Sequence, residues 1–299
     1  ASNTQTGLNQ PYSLAYDKAN NRLFVAGYGN NRVTVYDMTS TTNGEAATYV
    51  LGQSTFTAST AADTQAGLSG PNSVVYDSSS TLLYVAQDGS HRVSIFDVAA
   101  ITNGENAANL LGQYDDTDSP PTPLYTKSNV NNRPNKLGLN LPRGIEIDTS
   151  THRLFVADYS NNRVLIYNLD GGNQLIDRIP DNVLGQTNFY SNTAANTQAG
   201  MNTPSGLAYD PVNNRLFVSQ IGNNRVTIYD MTSTTDGEAA TYVLGQTTFT
   251  ASAAATTQVG MNDPYSLAYD RPNGRLFVVG YGNNRVTIFD LSTTTSNGE

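Results

Sequence analysis

The sequence predicts an all-β fold, a β-propeller assembled from five tandem copies of one four-stranded unit. Three observations carry this expectation. One block recurs with openings at Pro11, Pro71, Pro142, Pro204 and Pro264, a period of about sixty residues, and self-similarity at a fixed period marks a repeat architecture. Each block holds four short runs rich in Val, Leu, Tyr and Phe, bounded by Asp, Asn and Gly clusters, which is how strands and their turns read. No stretch sustains a 3.6-residue period, so no helix of consequence is expected.

The units cover residues 11–53, 71–113, 142–186, 204–246 and 264–299, within one domain spanning 1–299. In the first unit the strands are Ser13–Tyr16, Arg22–Ala26, Arg32–Tyr36 and Thr48–Leu51. Links of about four to six residues make the first three antiparallel neighbours. Alternation puts Val33 and Val35 on one face and Thr34 on the other. The equivalents of the first strand, Ser73–Tyr76, Gly144–Ile147, Gly206–Tyr209 and Ser266–Tyr269, are expected innermost. One such unit cannot bury both faces, so copies must stack. Four-stranded units repeated about an axis give a propeller. A parallel β-helix fits poorly, because its coils are shorter and its strands pair between repeats.

The fifth unit stops at Glu299, in a segment matching Asn43-Gly44-Glu45, and so lacks a fourth strand. Ala1–Gln10 matches the loop before each proline and does not supply one. A longer parent chain, with a sixth blade completing the ring, is therefore expected. The open edge of Arg285–Phe289 is expected to recruit a strand, from a partner, through self-assembly or from that parent chain, because unpaired N–H and C=O groups template pairing.

The pattern P-x-[GS]-[LIV]-x-[YI]-D, then [RL]-L-[FY]-V, then R-V-x-[IVF]-[YF]-[DN] resembles the NHL repeat in all five units. The motif VLGQ at Val50–Gln53, Val183–Gln186 and Val243–Gln246 looks like the outermost strand of a blade in the bacterial type. One departure stands out. The Asp that usually ends the second strand survives only as Asp158, with Gly27, Gln87, Gln220 and Gly280 elsewhere. The resemblance implies a propeller. It also makes amidating-lyase chemistry an unattractive expectation, since that activity needs several zinc-binding histidines and the chain has only His91 and His152.

Composition narrows the function. With no cysteine, thiolate catalysis, zinc ribbons and iron–sulfur clusters drop out. A net charge of −9, with Lys18, Lys127 and Lys136 the only lysines, argues against a nucleic-acid partner. No apolar run approaches a membrane span, so membrane insertion is not expected. A surface dominated by Thr, Asn, Ser and Gly suits an extracellular or cell-surface bacterial protein.

Catalysis needs one irregular place with convergent polar groups. This chain is unusually regular: residues 30–59 and 223–252 differ only at Val35/Ile228, Asn43/Asp236 and Ser54/Thr247. The repeated Asp17, Asp77, Asp148, Asp210 and Asp270 read as turn residues. Arg32, Arg92, Arg163, Arg225 and Arg285 read as ties to carboxylates or carbonyls between blades. No G-x-S-x-G elbow or phosphate loop occurs.

The third unit breaks the pattern with Arg143, Glu146 and Asp158, which suggest an Arg143–Asp158 or Arg143–Glu146 ion pair. It follows the longest connection, Tyr114–Leu141, which carries Asp115, Asp116, Asp118, Arg133 and Lys136. The loops after the second strands carry Tyr28, Tyr159 and Tyr281, with Ile221 in the fourth unit. Aromatics on loops over a rigid scaffold form a common binding surface. Tyr28, Arg143, Glu146, Asp158, Tyr159 and Tyr281 are therefore the candidate ligand-binding residues, with no catalytic residue and no cofactor. The expected function is a non-catalytic scaffold for protein or carbohydrate, a module of a larger chain or assembly. The alternative is a metal-dependent hydrolase or lyase using Glu146 and Ca²⁺ in the central channel.

Overall fold

The computed structural model describes residues 2–115, 117–118, 121–292 and 296–298, so Asp116 of the long connection lies outside the described residues. The first sheet contains β1 (Pro11–Asp17), β2 (Arg22–Gly27), β3 (Arg32–Asp37) and β4 (Tyr49–Leu51). The second contains β5 (Pro71–Asp77), β6 (Leu82–Gln87), β7 (Arg92–Asp97) and β8 (Asn109–Leu111). Two short strands of the long connection, β9 (Tyr114–Asp115) and β10 (Thr122–Pro123), pair with each other.

The third sheet contains β11 (Pro142–Asp148), β12 (Arg153–Asp158), β13 (Arg163–Asn168) and β14 (Asn182–Leu184). The fourth contains β15 (Pro204–Asp210), β16 (Arg215–Gln220), β17 (Arg225–Asp230) and β18 (Tyr242–Leu244). The fifth has three strands, β19 (Pro264–Asp270), β20 (Arg275–Gly280) and β21 (Arg285–Asp290). Strand order follows chain order in every sheet. Helical structure among the described residues is limited to single 3-10 turns such as Tyr28–Asn30. The chain forms two compact units: Ala1–Asn131, Leu137–Ile145 and Leu169–Arg178 in the first, and Asn132–Lys136, Glu146–Asn168 and Ile179–Glu299 in the second.

Local chemistry explains the repetition. Each first strand ends on an Asp whose carboxylate closes the turn. Asp17 Oδ1 accepts the Ala19 and Asn20 N–H groups at 3.1 and 3.2 Å. Its Oδ2 receives Arg22 at 2.6 Å, and Asp148–Arg153 and Asp210–Arg215 repeat the pair. The turn then needs one residue at positive φ, which Asn tolerates better than most types. Asn21 and Asn214 fill it, as do Thr81 and His152. The next turn uses Asn31, Asn162, Asn224 and Asn284 in the same way, with His91 in the second sheet. Both histidines therefore occupy left-handed turn positions. The His91 ring also ties down the chain ahead of the third sheet, its Nδ1 accepting the Leu141 N–H at 3.0 Å.

The alternation expected within the third strands does not separate a wet face from a dry one. Val33, Thr34 and Val35 are all buried. In the first unit β1–β4 packs on β5–β8, with Phe24, Val33, Val35 and Leu51 in one cluster with Val74, Leu83, Val85 and Phe96. In the second unit the fourth and fifth sheets meet in the same way, joining Phe217, Val226, Ile228 and Leu244 to Leu276, Val278, Phe289 and Leu291.

Two polar devices reinforce this packing. The arginine opening each third strand turns back onto carbonyls of the loop before its sheet. Arg32 donates to Thr4 and Gly7 O at 2.8 and 2.9 Å, and Arg225 to Thr197 and Gly200 O at 2.9 and 3.0 Å. The second device protects the three-residue outer strands. Asn103 and Gly104 of the second sheet bond both backbone groups of Val50, each at 3.0 Å. Asn297 and Gly298 do the same for Val243, again at 3.0 Å. An outer edge that would otherwise invite foreign strands is thereby occupied.

Candidate binding site

Two positions in every repeat lie at the same end of the sheet: the residue after the opening proline and the residue after the second strand. The first strand starts where the second strand ends, so Pro11 pairs with Gly27 and Pro71 with Gln87. The positions flanking those pairs are thereby brought together. In the first sheet they hold Tyr12 and Tyr28, whose rings stack with centroids 4.8 Å apart and planes inclined by 23°. In the second they hold Asn72 and Asp88, with the Asn72 amide 3.4 Å from Asp88 Oδ2. Arg143 occupies the first of these positions in the third sheet, and its charge acts on both Asp88 and Tyr28.

These five side chains form one site within the first unit. Asp88 is only 6% exposed and Asn72 only 5%, whereas Tyr12 is 41% exposed. Burial raises the Asp88 carboxyl above its ordinary value, opposed by the Arg143 guanidinium and by hydrogen bonds from Asn72 and Tyr28. Tyr28 is raised as well, first by burial and then by the Asp88 charge. The result is a buried carboxylate beside a guanidinium, bordered by a stacked aromatic pair.

Gly70 makes room for it. The residues before the opening prolines, Gln10, Leu141, Thr203 and Asp263, all adopt a φ near that of Gly70, which is +57°. Backbone conformation alone therefore does not demand glycine there. The neighbours do: a Cβ at Gly70 would lie 2.5 Å from Asp88 Oδ1 and 3.1 Å from Tyr28 Cε2. Such contacts cannot be accommodated without moving the site.

Of the candidates marked in the sequence, Tyr28 and Arg143 belong to this cluster, while the other four lie in the second unit. Tyr281 is 74% exposed and approaches Tyr265 at 6.4 Å, a looser counterpart of the Tyr12–Tyr28 stack at the same two repeat positions. Tyr159 opens the 3-10 turn Tyr159–Asn161 and is half-buried. Asp158 is fully buried, with Oδ2 holding Arg163 Nε at 2.7 Å and the Asn161 amide at 2.8 Å. It is the acidic counterpart of Gln220, whose Oε1 receives Asn223 and Arg225. Glu146 retains some exposed surface, yet it is set deeply enough for desolvation to push it up to about 7, against the pull of the Ile147 N–H and Arg271.

Sequence reasoning passed over Tyr12, Asn72, Asp88 and Gly70. The available signal was variation between repeats: after the opening proline the units read Tyr12, Asn72, Arg143, Ser205 and Tyr265. After the second strand they read Tyr28, Asp88, Tyr159, Ile221 and Tyr281. Chemically the cluster can recognise a planar or charged group by stacking, salt bridging and amide hydrogen bonding. Among the described residues no group of three or more His, Asp or Glu is placed to hold a metal ion. Among them also, no helix is long and apolar enough to cross a membrane.

Comparison with known proteins addresses the fold. No family profile matches the chain. No curated protein matches it either. Solved structures do: a chain in the crystal structure of a nidogen/laminin complex is similar over 95% of this chain and 77% of its own length, with a TM-score of 0.57 and 15% identity. At that identity the likeness shows the fold, a β-propeller with a sheet for each repeat. The breadth of the similarity, 1053 solved chains, means that the fold by itself selects no function.

Proposed function

We propose that this protein is a non-catalytic propeller scaffold that binds a protein partner through the loop end bearing Tyr12, Tyr28, Asn72, Asp88 and Arg143. The observation that carries the reading is the Asp88 carboxylate, 6% exposed and accommodated by the missing Cβ of Gly70. A charge costs free energy to bury and persists where its surroundings satisfy it. The adjoining aromatic pair adds what protein interfaces favour, rigid rings with polar tips next to an arginine. The similar chain was itself solved in a protein–protein complex, which supports the reading by analogy. The motif resemblance supports an NHL-type repeat protein of bacterial origin, displayed outside the cell or on its surface as a module of a larger chain or assembly.

The test uses the immobilised chain and two variants, Tyr28→Ala and Asp88→Asn, challenged with secreted and surface proteins of the source organism and with a glycan array. A protein retained by the unmodified chain and lost from both variants is the expected result. Retention of glycans alone would turn the reading to carbohydrate stacking on Tyr12 and Tyr28. Ca²⁺-dependent hydrolase or lyase turnover abolished by Glu146→Ala would replace it with the enzymatic alternative.

A further inference from the structure

The chain contains four Asn-Gly pairs, at Asn43, Asn103, Asn273 and Asn297. In such a pair the glycine nitrogen can reach the asparagine side-chain carbon, because no Cβ on the glycine stands in the way. Asn43, Asn103 and Asn297 share one repeat position, in the connection after the third strand. Two of these are locked by the outer strand of the preceding sheet. Asn103 Oδ1 accepts the Val50 N–H at 3.0 Å, and the Gly104 N–H donates to the Val50 carbonyl at 3.0 Å. Asn297 and Gly298 hold Val243 through the same two bonds, each at 3.0 Å. Both reacting groups are committed there, and both bonds must open before the two can meet.

Asn273 lies elsewhere, in the turn between β19 and β20. It is exposed, as are Asn20 and Asn213 at the same position in the first and fourth sheets. Asn213 is exposed even though the fifth sheet packs on the fourth, so a neighbouring sheet does not cover this turn. The residue that follows is what differs: Asn21 and Asn214 in those sheets, Gly274 in the fifth. The 3-10 turn Arg271–Asn273 closes without a cap hydrogen bond from the Gly274 N–H, whereas Asn31 caps its turn on the Tyr28 carbonyl at 3.3 Å. The Asn273 side chain makes one exposed hydrogen bond, Nδ2 donating to Asp270 Oδ2 at 2.7 Å. Such a bond breaks readily, because water replaces the lost partner.

We propose that Asn273 is a site of spontaneous modification, converted to aspartate or isoaspartate through attack by Gly274. The Gly274 nitrogen, having lost its proton to solvent, forms a bond to Asn273 Cγ. The Cγ–Nδ2 bond then breaks, and the nitrogen leaves as ammonia after taking up a proton. Water opens the resulting succinimide at either carbonyl. One water is consumed and one ammonia released, with no change in oxidation state. The product sets a carboxylate against that of Asp270 where an amide donor stood, and like charges this close repel. The β19–β20 turn thereby loosens as the protein ages, while the locked pairs at Asn103 and Asn297 remain amides.

Peptide mapping of the folded chain after incubation in heavy-oxygen water tests this. The Asn273 peptide should gain an acid carrying solvent oxygen, faster at pH 8 than at pH 6 because the glycine nitrogen must lose a proton. The Asn103 peptide should convert at least about tenfold more slowly, since two hydrogen bonds must open first. In urea the two pairs should convert at similar rates. Equal rates in the folded chain, or a difference of the same size in urea, would overturn the proposal. Gly274→Asn restores the Asn-Asn pair of the first and fourth sheets and should suppress conversion at Asn273. Conversion that persists in this variant would rule out attack by Gly274. The converted chain carries one more negative charge, so anion exchange separates it, and it should melt below the unconverted chain. Identical melting of the two fractions would refute the loosening of the turn.

Discussion

Glu146 stands where the other repeats have Ala15, Val75, Ala208 and Ala268, and its carboxyl is pushed up to about 7 by desolvation. Since the unfolded carboxyl titrates near 4.5, the folded state holds more protons between those two values, and folding stability falls as pH rises through that window. Glu146→Gln should therefore raise the melting temperature at pH 8 and leave it nearly unchanged at pH 4, measured as the difference from the unmodified protein. Asp148 acts in the opposite sense. Hydrogen bonds from Ser150, Thr151 and Arg153 outweigh its desolvation and hold it well below the carboxylate range, so its stabilisation is lost only in strong acid. In the Asp88 cluster, Gly70→Ala should cost about 1–3 kcal/mol, since small-to-large changes at packed positions force displacement. Combined with Asp88→Ala, which removes the oxygen 2.5 Å from the new Cβ, the cost should be clearly less than additive in denaturant titrations.

Among the elements, β21 shows what a missing neighbour does. It is the last strand of a three-stranded sheet, and Arg285–Ile288 alternate between partial and full exposure with only Phe289 buried, whereas β17 is buried along all but its last residue. Adding AATYVLGQ at the C-terminus should raise the melting temperature and slow amide exchange in Arg285–Phe289 towards that of Arg225–Tyr229. Unchanged exchange would show that the added residues do not pair there. The strands themselves were legible from sequence because period-2 patterning and Asp, Asn and Gly turns act over a few residues. The first strands run from the proline to the aspartate, longer than the four residues that hydropathy marks, because the proline lies at the strand end. The outer-strand latch was not legible: Asn103 and Val50 are 53 positions apart, and nothing in either segment names the other. Asp88 and Gly70 were missed for the same reason, since each makes sense only beside the other. The arginine ties were legible as a class, with carboxylates or carbonyls as partners, and the structure gives loop carbonyls, joined at Arg163 by the Asp158 carboxylate. Arg225→Met should be among the most destabilising single changes, by about 2–4 kcal/mol in urea unfolding, because it leaves buried carbonyls without donors.

For the whole molecule, a net charge of −9 means that two copies repel at a distance. Any self-association driven by apolar contact should therefore tighten as salt is added, since at 0.1 M the screening length is about 10 Å. Weakening with salt would point to an electrostatic contact of another kind, and sedimentation at low and moderate ionic strength separates the two. The arginine grip on the loop before each sheet has a different bearing. Arg32, Arg92, Arg225 and Arg285 each hold the glycine carbonyl 25 positions upstream, those of Gly7, Gly67, Gly200 and Gly260. The final stretch of each loop is clamped in this way, and the same arginines also hold the loop that follows, as Arg92 holds the Tyr125 carbonyl at 2.8 Å and Arg163 that of Phe189 at 2.7 Å, so chain added upstream of the final stretch does not disturb the register of the sheet that follows. The long connection after Gln113 already exploits that freedom: Arg163 still finds the Asn135 carbonyl 28 positions back, as Arg225 finds that of Thr197. The scaffold thus behaves as a frame with interchangeable cassettes, in which new surface can be spliced in ahead of the clamp while the sheets keep their places.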